Sequence, residues 1–246
     1  MAGGLSFRFL GVGNAKASEL GSASAVFEID GQPRLLIDCG PRTLDDYASH
    51  YGNGLPPAVF ITHLHLDHIG GVEQLFYRTY FARRGGVKLF VPATLVPGLH
   101  EKLATSPHVL SEGGANFWDA FHLVPTSGHF WLDEHLFEVF PVRHSGYRAA
   151  YGIALRGSFL YTGDTRPIPE VVGEFACAGE PIFHDCAMAG SPAHTGLEDV
   201  RREYGADALS RIVAYHYESE GAALALEAAG LKVARAGQRF PLRNAS

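Results

Sequence analysis

Cysteine is scarce in this chain: Cys39, Cys177 and Cys186 are the only three in 246 residues. The count is odd and no pair has Cys-x-x-Cys spacing, which argues against a disulfide framework and reads as structural thiols. Positive charge is also short, with 20 Lys and Arg against 26 Asp and Glu, a formal net charge of -6. Such a balance offers no broad attraction to a phosphate backbone or an anionic membrane, so a phosphate-bearing substrate needs local compensation, which a metal centre supplies. No stretch approaches the roughly 18 apolar residues of a membrane span. The opening MAGGLSFRFL lacks the basic start and apolar run of a signal peptide, and cytoplasm is the expected compartment. Internal repeats and low-complexity tracts are missing as well.

What is present is a chain with 46% hydrophobic residues, enough to bury the core of one α/β domain. Leu5 to Leu10 alternates into Gly11-Val12-Gly13-Asn14, a strand entering a tight turn, and Ser24 to Asp30 with Arg34 to Asp38 flank Gly31-Gln32-Pro33 as a hairpin. A helix is expected after Pro41, through Thr43, Leu44 and Tyr47 to Gly52, then a buried strand at Ala58 to Ile61. Val72, Leu75, Phe76, Tyr80 and Phe81 share a helical face after Gly70-Gly71. Strand patterns recur at 87–91, 136–142, 151–155, 158–161, 181–183 and 211–214. Helices are expected after Thr195, which makes a Thr-x-x-Glu box with Glu198, and from Glu220 to Ala229. The alternation predicts a mixed α/β sandwich. Around residues 92–135 the periodicity fades among Pro, Gly, Ser and His interleaved with Phe117, Trp118, Phe121, Phe130 and Trp131, and reads as a lid or a dimer contact.

Histidine is the abundant functional type, at 13 residues. Four potential metal ligands fall within six residues in His63-Leu64-His65-Leu66-Asp67-His68, directly after the apolar strand and before the glycines that open a helix. On extended backbone His63, His65 and Asp67 project to one side, and a turn brings His68 beside them. A His-rich surface loop explains any one of them, but not all four in this setting. Zinc accepts imidazole nitrogen and carboxylate oxygen, and four local ligands do not complete two such sites. His144, Asp164 and His216 each sit just past a predicted strand end, where α/β folds collect functional groups, and are suited to complete them.

This order of motifs resembles the metallo-β-lactamase superfamily over nearly the whole chain. The resemblance implies a single four-layer αββα sandwich over 1–246. It implies two Zn2+ ions, with Mn2+ as a possible substitute: His63, His65 and His144 on one, Asp67, His68 and His216 on the other, and Asp164 bridging. Asp38 matches the family's early aspartate, which orients a ligand histidine from behind. His rather than Glu at position 65 separates this pattern from the diiron members that reduce oxygen. Phe183-His184-Asp185-Cys186 and Ala193-His194-Thr195 resemble the acidic and His-Thr motifs of ribonuclease Z relatives. By that match His194 protonates the leaving alkoxide and Asp185 orients its ring; the competing reading is that His194 caps the helix near Thr195. The Asp185 and Cys186 pair departs from the commoner Glu-Ala. With Glu198 and Tyr215-His216-Tyr217, the pattern is most similar to anti-Pycsar cyclic-nucleotide phosphodiesterases.

The implied activity is hydrolysis of a small or cyclic nucleotide phosphodiester by metal-activated hydroxide, with Asp67 orienting the nucleophile. The rivals are a tRNA 3′-processing endonuclease and a metal- or nucleotide-binding protein without turnover. An extended nucleic acid is disfavoured, since no long basic arm is visible. The resembled phosphodiesterases imply a homodimer. Gly11-x-Gly13 lacks the third glycine of a dinucleotide motif and reads as a strand turn. Arg83, Arg84, Arg143 and Arg148 are candidate phosphate contacts, and Trp118 and Trp131 either stack on a base or fill a core.

Overall fold

The computed structural model describes residues 4–82, 86–105, 109–110, 113–146, 148–176 and 179–243. Arg83, Arg84 and Cys177 therefore lie outside the described residues. The chain first lays down β1 (Leu5–Gly11), β2 (Ser24–Ile29) and β3 (Gln32–Ile37) as an antiparallel meander. After α1 (Thr43–Tyr51) it adds the parallel strand β4 (Ala58–Phe60). Two helices, α2 (Leu66–Ile69) and α3 (Val72–Ala82), precede the parallel β5 (Val87–Pro92). Short α4 (Val96–Leu99) and a small ribbon of β6 (Val109–Leu110) and β7 (Gly113–Gly114) follow, and β8 (Phe121–Thr126) closes that edge of the sheet.

The second sheet begins with β9 (His129–Leu132), β10 (His135–Pro141), β11 (Tyr151–Leu155) and β12 (Phe159–Tyr161). Helix α5 (Pro169–Phe175) leads to the parallel β13 (Ile182–Asp185). Helices α6 (Leu197–Glu203) and α7 (Ala206–Arg211) lead to β14 (Ile212–Tyr215), and α8 (Glu220–Ala228) leads to β15 (Lys232–Val233). The chain then crosses back: β16 (Arg239–Pro241) pairs with β1 in the first sheet. The sheet orders are β16-β1-β2-β3-β4-β5-β8 and β15-β14-β13-β12-β11-β10-β9. Helices outside two packed sheets give the expected αββα layering. No helix among the described residues is long and apolar enough to cross a membrane.

Alternation along β1 points Phe7 and Phe9 at the other sheet, where Phe7 stacks on Phe183 at 4.5 Å and meets Phe159 at 4.8 Å. Phe27 meets Phe137 edge-on at 5.4 Å, and Phe130 stacks on Phe90 at 4.1 Å. The last pair joins the sheets from β9, inside the segment expected to be a lid. Residues 92–135 thus supply an edge strand to each sheet. Trp131, on the β9 edge, is 61% exposed, and Trp118 donates its indole N–H to His100 Nδ1 at 3.1 Å.

One polar knot lies within the first sheet. Glu28 is fully buried, and its carboxylate accepts from Ser6 Oγ (2.6 Å), Arg239 Nε (2.6 Å), Tyr51 OH (2.6 Å) and Arg8 Nε (3.2 Å). Burial pushes its pKa up, but the four donors outweigh it and hold the group at about 2. A depressed carboxylate stabilises the fold above its unfolded pKa of about 4.3, and that contribution is lost as pH falls through the folded value. Glu28→Gln is expected to cost about 3 kcal/mol at pH 7 by leaving two arginines without their buried partner. In a domain of this size that is a fall in Tm of roughly 6–12 °C, read by calorimetry. Wild type and variant should converge as pH drops from 4.5 to 2.5; parallel curves would count against this role.

Candidate metal centre and its cavity

The ligand loop is set by Asp38, which follows β3 with a positive φ of 61°. Its carboxylate accepts from Thr62 N (2.8 Å), Thr62 Oγ1 (2.7 Å) and His68 Nδ1 (2.8 Å), joining the turn after β4 to the first turn of α2. Gly40 allows this closeness, because a Cβ there would strike the Asp67 carbonyl and the Ser22 side chain. The backbone is extended only as far as His65, which precedes α2; Asp67 and His68 are already helical. The expectation of three residues alternating on an extended stretch is corrected here: a helical turn, not the two-residue repeat, presents Asp67.

Each ring is aimed by what its far nitrogen holds. His68 donates Nδ1–H to Asp38, His144 donates Nδ1–H to the Ala193 carbonyl at 2.9 Å, and His63 Nδ1 lies 3.0 Å from the Thr62 hydroxyl, which already donates to Asp38. All three leave Nε2 facing inward. Asp164, following β12, reaches His216 Nε2 at 3.1 Å, His68 Nε2 at 3.3 Å and His63 Nε2 at 3.7 Å through Oδ2. His65 Nδ1 lies 3.1 Å from His63 Nε2 and 3.0 Å from His144 Nε2.

Two quartets result, His63, His65, His144 and Asp164, and Asp67, His68, Asp164 and His216, each with its ligand atoms within 4.8 Å of one another. The structure brings all seven sequence-predicted residues together. Zinc bonds of about 2.0–2.2 Å at tetrahedral angles place ligand atoms roughly 3.3–3.6 Å apart, close to the spacings found. In the first quartet three ring nitrogens crowd within hydrogen-bond distance, and one proton cannot satisfy all three lone pairs. In the second, His68 Nε2, His216 Nε2 and Asp164 Oδ1 are buried without a hydrogen-bond partner, a costly arrangement that a cation would relieve. The donor set therefore fits one or more divalent metal ions.

Electrostatics agree with a shared, highly charged centre. Burial and the neighbouring His68 hold His63 well below the usual imidazole range. Burial alone would raise Asp164, but His216 and His68 draw it well below the usual carboxylate range. Asp67 is lowered in the same way, with burial opposed chiefly by His216.

Behind His216, Asp185 at the end of β13 joins this centre to His194. Its Oδ2 accepts from His194 Nδ1 (2.8 Å) and Thr165 N (2.9 Å), while Oδ1 faces His216 Nδ1 at 3.5 Å. Burial works to lower His194, but the Asp185 hydrogen bond and charge raise it above its ordinary value. The capping reading of His194 is excluded, since Gly196 is the N-cap of α6 and its N–H donates to Asp199 at 3.0 Å. The Thr195–Glu198 box is likewise corrected by one residue. Thr195 Oγ1 instead donates to the Thr165 carbonyl at 2.7 Å, which fastens the His194 loop to the Asp164 loop.

A cavity of about 420 Å³ opens on both quartets; it is lined by His65, Asp67, Asp164, His194 and His216 and also by Asn14, Lys16, Ser191 and Glu218. Sequence reasoning missed the last four. Their one signal was position, since residues 14–16 and 218 follow the ends of β1 and β14 just as the ligands follow other strands. A neighbouring 330 Å³ cavity shares Ser191 and His194 and is lined by Arg143, Arg166 and Arg202. Arg143 pairs with Glu170 at 2.8 Å and Arg202 with Asp199 at 2.6 Å, so their charges are largely compensated. Neither Arg148 nor the tryptophans line the cavity over the quartets.

Comparison with known proteins agrees with this fold. Among solved structures, the metallo-β-lactamase fold protein YhfI from Bacillus subtilis superposes with a TM-score of 0.75 at 13% identity, covering 97% of this chain and 99% of its own. A diphosphatase of the PhnP family gives 0.76 at 20%, covering 98% and 99%, and the short form of human tRNase Z gives 0.61 at 16%, covering 97% and 99%. An anti-Pycsar protein Apyc1 from Paenibacillus xerothermodurans is 30% identical over 210 residues, 80% of this chain and 81% of its own. One from Bacillus phage BSP38 is 27% identical over 238 residues, covering 85% and 88%. The family model of anti-Pycsar protein Apyc1 matches residues 5–240. With the metallo-β-lactamase fold beneath it and the match running from β1 to β16, the chain belongs to the anti-Pycsar protein Apyc1 family.

Proposed function

We propose that the protein is a metal-dependent phosphodiesterase acting on a small or cyclic nucleotide. The observation that carries this reading is one cavity that opens on two ligand quartets sharing Asp164, with His194 on its wall and Asp185 buried behind it. Its volume suits a small molecule rather than a folded nucleic acid. Family membership supports a nucleotide substrate.

His63, His65 and His144 would hold one ion, Asp67, His68 and His216 the second, and Asp164 would touch both. When bound, zinc or manganese ions would supply Lewis acidity toward the phosphate oxygens and a water ionised near neutral pH. The chain's own groups do the rest. Asp67, part exposed at the cavity, accepts a hydrogen bond from the attacking water and orients it. Asp185 fixes the His194 ring and favours its protonated form, so that it can donate a proton to the departing oxygen. The loop tie through Thr195 and Thr165 holds this donor at a fixed position relative to Asp164.

The test is turnover of bis(p-nitrophenyl) phosphate and of 3′,5′-cyclic mononucleotides by metal-analysed protein. Hydrolysis lost on chelation and restored by Zn2+ or Mn2+ is expected. Cleavage of a precursor tRNA with none of either small diester would replace this reading, and two bound metals with no turnover on any diester would favour a binding role.

A further inference from the structure

The candidate ligands are not all braced in the same way. His68 leans on Asp38, His63 on Thr62 and His144 on the Ala193 carbonyl, and His216 faces Asp185. His65 has no hydrogen bond at its far nitrogen among the described residues, and it is the exposed member of the first quartet. A metal-binding imidazole ordinarily has its other ring nitrogen held, which fixes the ring. The aim of His65 must then come from its backbone.

That backbone is held from outside the sheets. After β5 the chain forms a short helical turn (Ala93–Leu95), helix α4 and one π-helical turn (His100–Ala104), a form that recurs at functional sites. From the last of these Lys102 Nζ donates to the Leu64 carbonyl at 2.9 Å, on the peptide that enters His65. Gly98 of α4 lies so close that a Cβ there would stand 2.8 Å from Leu64 Cδ1. At the other end Thr94 Oγ1 donates to the Arg148 carbonyl at 3.0 Å and accepts from the Tyr151 hydroxyl at 2.7 Å. Arg148 has a positive φ of 54°, a conformation that persists only where neighbours hold it. It lies between His144 and Ala150, and Ala150 bridges the His63 backbone. All three histidines of the first quartet thus sit on loops tied to residues 94–102. The second quartet is held elsewhere. Asp38 grips His68, and at the turn after β1 His216 N donates to the Val12 carbonyl at 2.7 Å and Asn14 N to the Tyr217 carbonyl at 3.3 Å. Among the described residues no hydrogen bond runs from 94–102 to the loops of Asp164 or His216.

We propose, resting on the two-ion reading above, that residues 94–102 clamp the site His63, His65 and His144 would form, with Lys102 and Thr94 as its positioning residues. Both act through backbone carbonyls. A loop that must be ordered at the moment an ion binds lowers the affinity by the free energy of that ordering. By charge alone a nearby lysine opposes a cation, so its removal would tighten binding. The clamp predicts the opposite sign.

The experiment titrates metal-free protein with Zn2+ against a chromophoric chelator and resolves two dissociation constants. His65→Ala marks the constant of the first site by weakening or abolishing it. Thr94→Val and Lys102→Met are each expected to raise that same constant about three- to tenfold, the scale of one hydrogen bond, and to leave the other within about twofold. Thr94→Ser and Lys102→Arg, which keep the donors, should stay within about twofold of wild type. Both positions are exposed, so the Tm of the metal-free protein should move by less than about 2 °C. Equal weakening of both ions would make the segment a general support, and tightening by Lys102→Met would leave lysine acting through charge. Either result overturns the proposal, as do unchanged constants. A wild type that takes up no more than one ion would bring down the two-ion reading itself, and the clamp with it.

Discussion

On the proposed reading, in which Asp164 would be shared by two metals, Asp164→Asn is expected to lower diester turnover by at least about 10³-fold, because such a ligand would underlie several kcal/mol of charge stabilisation in the reaction. Asparagine keeps the shape and removes the charge that His68 and His216 face at 3.3 and 3.1 Å. Bound metal should fall from two ions per chain toward one or none, read by elemental analysis after gel filtration, while far-ultraviolet circular dichroism keeps its wild-type form. Normal metal content with normal turnover would refute the shared-ligand assignment. Loss of turnover with both metals retained would move Asp164 from ligand to substrate contact.

His194→Ala separates proton donation from scaffolding by the choice of leaving group. An alkoxide departs with difficulty unless it is protonated, whereas p-nitrophenolate leaves unaided. The variant should therefore lose about 10²- to 10⁴-fold in kcat on a cyclic nucleotide but less than about tenfold on bis(p-nitrophenyl) phosphate. If His194 only braced the loop, the two substrates would suffer alike, and equal losses would remove it from the chemistry. Asp185→Asn is a poorer probe, since Asp185 also faces His216 and its loss would disturb the metal centre.

The candidate ligand cluster was legible because its members follow the ends of strands whose apolar runs are easy to read, and four of the seven fall within six residues. Helix α2 was not legible: four residues are too few to show a period, and His-x-His-x-Asp looks alternating whether or not the chain turns. Strand β8 was hidden by Pro125, which would break a central strand but is tolerated at a sheet edge, where β8 lies. His129 and Trp131 blurred β9 for a similar reason, as an edge strand with one exposed face shows only a weak signal. Glu28 gave no sign of its role. A single acidic residue in an alternating strand reads as solvent-facing, and its donors come from positions 6, 8, 51 and 239. Lys16 and Glu218 were invisible for want of the backbone pairing that sets their turns together.

The return of β16 to the first sheet bears on how the protein is made. Strand β1 lies between β2 and β16, and Arg239 reaches Glu28 across 211 positions of sequence. A ribosome releases β2 long before β16, so a nascent chain that has already closed the β1 to β5 sheet holds Glu28 without one of its strongest donors. Closing the sheet early would trap a carboxylate short of charge compensation, which discourages folding from the amino-terminal half alone. Until β16 arrives, the last strand among the described residues, Glu28 has only Ser6, Arg8 and Tyr51 to compensate it, so the final charge contact of the first sheet is made late in synthesis.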